Sequence, residues 1–277
     1  MKHLRSWLGE SRLHASERIW CAYFLLMAVS AEGGRLSLGL LGLTLAVWLL
    51  ARSVALRWRL LAGLVWVNFA YALGSDVARS LRATRFDAAL TRIDGVLGWH
   101  ASAWTPSAFA LDALSCFYLS FYVLLFAGFL VFRRRPAFHT GLAAIYGIGT
   151  FCYVLVPAAG PFFTWPLPVE GTHVFARLQP FASRLVTGVD VFPSLHVAVS
   201  GYVLAWLTRR WPRAWPLFAL WAAAVAAATV GLRYHYLIDV VGGVALVGSV
   251  LFLQQLGRRS ATPARLPSLG HERIEHA

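Results

Sequence analysis

Two segments of the sequence place a histidine at the start of an apolar run. His196 lies in VFPSLHVA and His235 in RYHYLIDVVGG. Asp239 follows His235 by four residues, so on a helix the two side chains would lie one above the other. A carboxylate in that place accepts the imidazole Nδ1–H and leaves Nε2 free to attack. This spacing predicts nucleophilic catalysis by a histidine.

The residues around the two histidines predict a place for an anion. Pro193 suits the first turn of a helix, where its missing N–H costs nothing. Ser194 and the next backbone N–H groups would then point outward, and such a helix N-terminus binds anions. Arg233 could hold phosphate oxygens in a bidentate grip. Together these groups predict phosphoryl transfer, in which His235 becomes a phosphohistidine and His196 protonates the leaving alcohol.

Composition identifies the chain as an integral membrane protein. Of its 277 residues, 58% are hydrophobic and 13% are charged, and the mean hydropathy is +0.62. A soluble domain would carry roughly 25% charged residues. The formal net charge of +13 could suggest nucleic acid. However, the arginines cluster between apolar runs, which is typical of membrane-flanking loops. We therefore expect no nucleic-acid partner.

Eight apolar segments are candidate membrane helices, since a span needs roughly 20 apolar residues. The predicted fold is an all-α polytopic bundle, in which the third to eighth segments form a six-helix core. The first two are short and make either two full spans or a shallow hairpin. The segments lie at about 19–31, 36–51, 60–74, 113–132, 137–157, 194–208, 214–232 and 236–256. The two histidines open the sixth and the eighth segment, and so share one face of the membrane.

The distribution of arginine predicts the orientation. The short loops on the side of the N-terminus hold more arginine than those on the other side, as in residues 133–135. Because basic short loops stay in the cytoplasm, we expect cytoplasmic termini and a site that faces the periplasm or exterior. The scarcity of lysine against arginine suggests a GC-rich bacterial genome, and hence the bacterial inner membrane.

Four regions follow from these segments. We predict a cytoplasmic leader at 1–18, N-terminal membrane segments at 19–74 of which the third joins the core, a catalytic membrane domain at 75–256, and a disordered cytoplasmic tail at 257–277. In the long loop 75–112, apolar residues recur at helical spacing, which predicts an interfacial amphipathic helix that shapes the lipid entrance. Its stripe is Phe86, Leu90, Ile93 and Leu97.

The two histidine motifs carry a family resemblance. PSLH and HYLIDVVGG resemble the second and third motifs of the type-2 phosphatidic acid phosphatase superfamily. Leu195, where many phosphatases have glycine, resembles the inositol phosphorylceramide synthase-like branch, as do FDAALTRIDGVLG, FYLSFYVLLF and VPAAGPFF. The resemblance implies a membrane enzyme that acts on a phospholipid, polyprenyl or sphingolipid phosphate. The phosphohistidine route needs no metal or other cofactor.

The sequence also departs from that family. The first motif is a lysine followed seven residues later by Arg-Pro, but Gly128 precedes RRRP at the lysine position. Thr229 stands where the third motif has an arginine six residues before its histidine. Other cations must then hold the phosphate, and we expect Arg233, Arg177 and Arg184, in that order.

Several alternatives stay open. Intramembrane His, Asp and Arg side chains also occur in transporters and proton relays, and two histidines could bind haem or a metal. Within the enzyme class, hydrolase and transferase differ only in the acceptor, which is water, an alcohol-bearing lipid or inositol. The three cysteines lie in apolar segments without the spacing of a zinc site or a disulfide framework; they are Cys21, Cys116 and Cys152. The sequence does not indicate the oligomeric state.

Overall fold

The computed structural model describes residues 13–81, 85–185 and 187–260, without the side chains of 181–185 and 259–260. These residues form ten α-helices and no strand, which confirms the all-α prediction. The helices are α1 (Ala15–Ser30), α2 (Gly34–Ser53), α3 (Leu56–Ser80), α4 (Asp87–Val96), α5 (Ala108–Val131), α6 (Pro136–Leu155), α7 (Val174–Leu185), α8 (Leu195–Arg210), α9 (Trp215–Gly231) and α10 (Leu237–Ser260).

The ends of the chain differ in part from the predicted regions. Within the leader predicted at 1–18, α1 already begins at Ala15, because His14 and Glu17 form a capping box at its N-terminus. Within the tail predicted at 257–277, α10 continues to Ser260. Residues 1–12 and 261–277 lie outside the described residues.

Six helical segments in the described ranges are long and apolar enough to cross a membrane. They comprise α2, α3, α5, α6, α9 with its preceding turn, and most of α10. The chain is therefore a multi-pass membrane protein. The first and sixth predicted segments form α1 and α8, which have 16 residues each. A 16-residue helix is about 24 Å long, shorter than the ~30 Å hydrocarbon core.

The short helix α8 lies at the centre of the bundle, against α5, α6, α9 and α10. Most of its residues between Leu195 and Leu207 are buried. Because protein surrounds it, α8 needs less length and less hydropathy than a lipid-facing span. Its N-terminus meets the N-terminus of α10 at one end of the bundle. We call this end, which holds Ser194 and His235, the site end.

The first two helices form a hairpin that is attached to the core through α1. Helix α1 packs against α2 and also against α6. Glu17 in α1 and Arg59 in α3 form a buried ion pair, in which Arg59 Nε donates to Glu17 Oε1 over 2.6 Å. In α2, by contrast, only three residues are buried: Leu40, Val47 and Ala51. Helix α2 is thus the peripheral one.

Helix α4 lies within the segment predicted as an interfacial helix, and it supports the start of α10. Asp94 accepts hydrogen bonds from the backbone N–H groups of Leu237 (2.8 Å) and Ile238 (2.9 Å). These are the first two residues of α10, so Asp94 provides the acceptor that a capping residue would otherwise supply. Asp87, two turns earlier on the same short helix, accepts from the Tyr236 hydroxyl over 3.0 Å.

The apolar stripe predicted for this helix is only partly buried. Leu90 is buried against Ala158 and Tyr236, whereas Phe86, Ile93 and Leu97 are exposed. Residues 75–80, which were assigned to the same loop, instead continue α3.

Candidate active site

His235 is held by two acceptors, and its placement follows from the start of α10. Its Nδ1 lies 2.9 Å from the carbonyl oxygen of Val191 and 3.4 Å from Oδ2 of Asp239. Asp239 is completely buried, and the same Oδ2 accepts the backbone N–H of Tyr236 over 2.8 Å. His235 lies in the turn just before α10, and the structure brings it beside Asp239 in the first turn of that helix.

The contact with Val191 determines which nitrogen of His235 carries a proton. A carbonyl oxygen can only accept a hydrogen bond, so Nδ1 must be the donor. In the neutral imidazole, Nε2 then has the free electron pair. This nitrogen lies 3.5 Å from Nδ1 of His196. Nε2 therefore faces the second histidine, while Nδ1 faces Val191 and Asp239.

His196 lies between aromatic rings in the first turn of α8. Its imidazole stacks on Tyr118, with 4.4 Å between the ring centroids and an interplanar angle of 28°. Phe121 lies at the same centroid distance in a tilted arrangement. The Nε2 atom of His196 is buried without a hydrogen-bond partner among the described residues. These ring contacts fix the imidazole of His196 beside Nε2 of His235.

Ser194 joins the starts of α8 and α10. It is the N-cap of α8, and its Oγ accepts from the backbone N–H of Val197 over 3.4 Å. Its own N–H donates to the carbonyl oxygen of Asp239 over 3.0 Å. The next two N–H groups, of Leu195 and His196, begin the helix and have no intrahelical acceptor. Pro193 was predicted in the first helical turn, but it precedes the N-cap, because Ser194 is the better capping residue.

A glycine permits this junction. A Cβ at Gly243 in α10 would lie 2.6 Å from the carbonyl oxygen of Ser194, which is closer than any side chain tolerates. Gly243 therefore allows α10 to approach the beginning of α8 directly. The pair of glycines in HYLIDVVGG thus has a packing role at the site.

Arg233 lies near the histidines in the sequence, but its guanidinium points elsewhere. It donates to the carbonyl oxygens of Trp165 (2.7 Å) and Trp104 (2.5 Å). The residue has φ +60°, the left-handed region that turns the chain between α9 and α10. Burial lowers the pKa of this guanidinium from its usual value. Arg233 is not among the residues that line the cavity described below.

The other two arginines that were expected to hold phosphate both belong to α7. Arg177 is exposed and does not line the cavity, although its neighbour Leu178 does. Arg184 is on the same helix, and its side chain lies outside the described part of the structure. The structure therefore brings His235, His196, Asp239 and Ser194 together, but not Arg233 or Arg177.

A cavity of about 320 Å³ adjoins the histidine pair. Helices α3, α5 and α6 contribute most of its wall. The rest comes from Leu178 of α7, Asp190 and Val191, the N-terminus of α8 and the turn before α10. Its lining is mainly apolar and includes six tyrosines: Tyr71, Tyr118, Tyr122, Tyr146, Tyr153 and Tyr234. Asn68 and Tyr122, on α3 and α5, line the cavity and are also exposed, so it opens sideways between these helices. No described residue of the segment 76–98 lines it.

Two further polar groups line the cavity that were not predicted from the sequence, a carboxylate and a hydroxyl. Asp190 lines the cavity and is only 6% exposed, and it accepts a hydrogen bond from the Tyr71 hydroxyl. The hydroxyl of Tyr234 is buried without a hydrogen-bond partner among the described residues. Burial raises the pKa of Tyr234, so this hydroxyl keeps its proton and can donate. The feature of the sequence that could have indicated Asp190 is a single carboxylate just before the PSLH motif.

The fold and this arrangement define a class, namely an all-α membrane protein with a pair of adjacent histidines at one end of the bundle. The family model described as the PAP2 superfamily matches residues 88–253, which is more than half of the chain. The chain belongs to the PAP2 superfamily. Membership indicates a phosphatase-type enzyme and implies a lipid phosphate substrate. No curated protein and no solved structure gives a significant match.

Proposed function

We propose that the protein transfers a phosphoryl group from a membrane lipid through a phosphohistidine at Nε2 of His235. One observation carries this proposal: the Val191 carbonyl oxygen, 2.9 Å from Nδ1, can only accept a hydrogen bond. The free electron pair is then on Nε2, which faces His196 and the cavity. Membership of the PAP2 superfamily supports the same chemistry.

In the first step, Nε2 of His235 bonds to phosphorus, and the bond between phosphorus and the oxygen of the leaving alcohol breaks. His196, in its protonated form, gives its proton to that oxygen. In the second step, the oxygen of the acceptor bonds to phosphorus and its proton passes to His196. The nitrogen–phosphorus bond breaks, and its electron pair returns to Nε2 of His235.

Asp239 stabilises the charge that appears in the first step. The imidazole of His235 becomes cationic when Nε2 is phosphorylated, and Nδ1 then donates to Val191 and Asp239. The Asp239 carboxylate is completely buried, so its interaction with that charge is only weakly screened by water. Asp239 is thus a positioning and stabilising residue rather than a proton acceptor.

The phosphoryl oxygens are held by neutral donors. The N–H groups of Leu195 and His196 at the N-terminus of α8, with Ser194, form one side of this anion site. The unpartnered hydroxyl of Tyr234 forms another. We assign Arg233 to the support of the loops, because its guanidinium already binds the Trp104 and Trp165 carbonyl oxygens. We assign Arg177 only to the surface from which a lipid would approach the cavity.

The acceptor decides between a phosphatase and a headgroup transferase. Leu195, buried in the cavity wall, is the residue that resembles the inositol phosphorylceramide synthase-like branch. It fills space that a glycine would leave open, which makes the cavity less accessible to water. We therefore favour transfer to an alcohol-bearing lipid or inositol, with hydrolysis as the competing reaction. The arginine distribution supports a site on the extracytoplasmic face.

The experiment compares the wild type and His235→Ala, both purified in detergent, on a panel of lipid phosphates and phosphodiester lipids labelled with ³²P. Free phosphate, lipid products and acid-labile label on the protein are measured. We expect turnover and an acid-labile adduct in the wild type and neither in the variant. Turnover by His235→Ala would refute this nucleophile, and the product identifies the acceptor. An absence of turnover on every lipid would favour the transporter alternative.

A further inference from the structure

The cavity beside His235 has an unusual balance of charge for a site that receives phosphate. Among the described residues that line it there is no arginine and no lysine. It does contain a carboxylate, Asp190, which is only 6% exposed. A phosphate monoester has nearly two negative charges, and a second anion without a countercharge is strongly unfavourable in a buried site. The cavity is therefore poorly suited to a simple lipid monophosphate.

The same cavity has the features of a site for an organic cation. Six tyrosines line this one cavity, with Phe121 and Phe126 beside them. Aromatic faces attract ammonium groups, and cages of such rings are used to recognise quaternary ammonium ligands. An adjacent carboxylate adds a direct charge interaction, which is strong where water is excluded.

Asp190 has capacity for a ligand and a fixed position. Its described hydrogen bonds come from the Tyr71 hydroxyl and the backbone N–H of Thr187. A carboxylate has about four acceptor positions. Asp190 also directly precedes Val191, whose carbonyl oxygen holds His235. A cation at Asp190 would thus lie in the same cavity as phosphorus bound at His235 Nε2.

We propose that this cavity binds the ammonium group of a zwitterionic phosphodiester lipid, with Asp190 and the tyrosine rings as the cation site. Such a substrate has one negative charge on phosphorus and one positive charge a few bonds away. The neutral donors of the site suffice for the phosphodiester, and Asp190 balances the ammonium. This explains how the site functions without the lysine and arginine that the family motifs would supply. The proposal rests on the proposed function for the place of phosphorus, but binding of the cation is tested separately.

The binding experiment uses two amphiphiles with the same chain, hexadecylphosphocholine and hexadecyl phosphate, at a fixed detergent concentration. Their dissociation constants are measured for the wild type and for His235→Ala, in which turnover is absent. We expect the phosphocholine to bind about tenfold tighter or more in both proteins. Equal binding, or preference for hexadecyl phosphate, would overturn the proposal.

Asp190→Asn removes the charge while keeping the shape, because the asparagine oxygen can still accept the Thr187 N–H. We expect this variant to bind hexadecylphosphocholine and hexadecyl phosphate with about equal dissociation constants. Asp76→Asn is the matched control, since Asp76 is an exposed carboxylate near the site end of α3 that does not line the cavity. A preference that survives in Asp190→Asn would contradict the role of this carboxylate.

A second pair of variants tests the rings without altering Asp190. Tyr122 lines the cavity and is 42% exposed, so its replacement leaves the core packing intact. Tyr122→Phe keeps the aromatic face, and Tyr122→Leu removes it. We expect only the leucine variant to weaken the phosphocholine, by about threefold or more, with no change for hexadecyl phosphate. Equal weakening of both ligands would indicate simple packing and refute the cation–π contact.

A turnover experiment separates this proposal from the proposed function. Soluble dihexanoyl phosphatidylcholine and dihexanoyl phosphatidic acid are compared by kcat/KM in the wild type and in Asp190→Asn. We expect the wild type to prefer phosphatidylcholine and the variant to lose that preference. Turnover of phosphatidic acid alone would keep the phosphohistidine route but refute the cation site. Selective phosphocholine binding without turnover of either lipid would keep the cation site and refute the enzymatic function.

Discussion

The carbonyl oxygen of Val191 accepts a hydrogen bond of 2.9 Å from Nδ1 of His235. In a catalytic triad the tautomer of the histidine depends on a carboxylate. Here the main-chain carbonyl of Val191 sets the tautomer of His235. Oδ2 of Asp239 lies 3.4 Å from Nδ1 and is a second acceptor. The two tasks of a triad aspartate, orientation of the ring and stabilisation of its charge, are thus divided between two groups.

This division predicts a moderate effect for Asp239→Asn. In catalytic triads the corresponding change costs roughly 10⁴-fold in kcat, because the imidazole adopts the wrong tautomer. Val191 keeps the correct tautomer, so only the charge stabilisation is lost, and we expect a fall of about 10- to 100-fold with KM nearly unchanged. Steady-state kinetics on the preferred lipid measure this. A loss as complete as that of His235→Ala would contradict the role given to Val191.

Tyr234→Phe should separate activity from stability. The Tyr234 hydroxyl is buried and has no hydrogen-bond partner in the described parts of the chain, so its removal should leave the melting temperature in detergent unchanged or slightly raised. If this hydroxyl donates to a phosphoryl oxygen, kcat/KM should fall by about tenfold or more. Tyr236→Phe is the comparison, since its hydroxyl donates to Asp87, which has other partners in the loops. Unchanged kcat/KM in Tyr234→Phe would exclude the hydroxyl as a phosphate donor.

Arg233 offers a test between a structural and a phosphate-binding role. Its loss leaves the carbonyl oxygens of Trp104 and Trp165 without their donor, so Arg233→Ala should destabilise the protein by about 1–3 kcal/mol. Arg233→Lys should recover little stability, because one ammonium cannot reproduce the guanidinium fork. Thermal melts in detergent and kcat/KM per folded molecule are the two measurements. A stable Arg233→Ala protein whose KM alone rises would instead establish the phosphate role predicted from the sequence.

Two glycines of α10 form a matched pair for the packing at the site. A Cβ at Gly243 would meet the Ser194 carbonyl oxygen at 2.6 Å, whereas a Cβ at Gly248 has no neighbour within 4 Å. Gly243→Ala should therefore push α10 from the start of α8, costing about 1–3 kcal/mol and much of the activity. Gly248→Ala should be neutral or slightly stabilising, because alanine favours the helix. Similar melting temperatures for the two variants would disprove this account of the contact.

The proximity of His235 to Asp239 and to His196 could be predicted from the sequence because the information is local. His235 and Asp239 are one helical turn apart, and both histidine motifs begin an apolar segment, so their shared end of the bundle followed from counting segments. The membrane class and the all-α fold followed from composition and from the length of the apolar runs. These patterns need no knowledge of how the helices pack.

The rest of the site depends on contacts that local patterns do not record. Tyr71 donates to Asp190 across 119 positions of the chain, and only the packing of α3 brings them together. The Val191 acceptor is main chain, so no side-chain motif indicates it. Arg233 was expected at the phosphate because of its charge. Its left-handed backbone, which directs the guanidinium to the loops, leaves no clear mark in the sequence.

The sideways opening between α3 and α5, with Asn68 and Tyr122 exposed at its edge, has a consequence for the energetics of catalysis. An enzyme that lifts a lipid out of the bilayer exposes its tails to water, at about 0.8 kcal/mol for each methylene. Through a lateral opening, the acyl chains can remain in the hydrocarbon core of the bilayer while the headgroup enters the cavity. The activation barrier then does not depend on acyl-chain length. One enzyme can therefore act at similar rates on all the lipids of its membrane that share a headgroup.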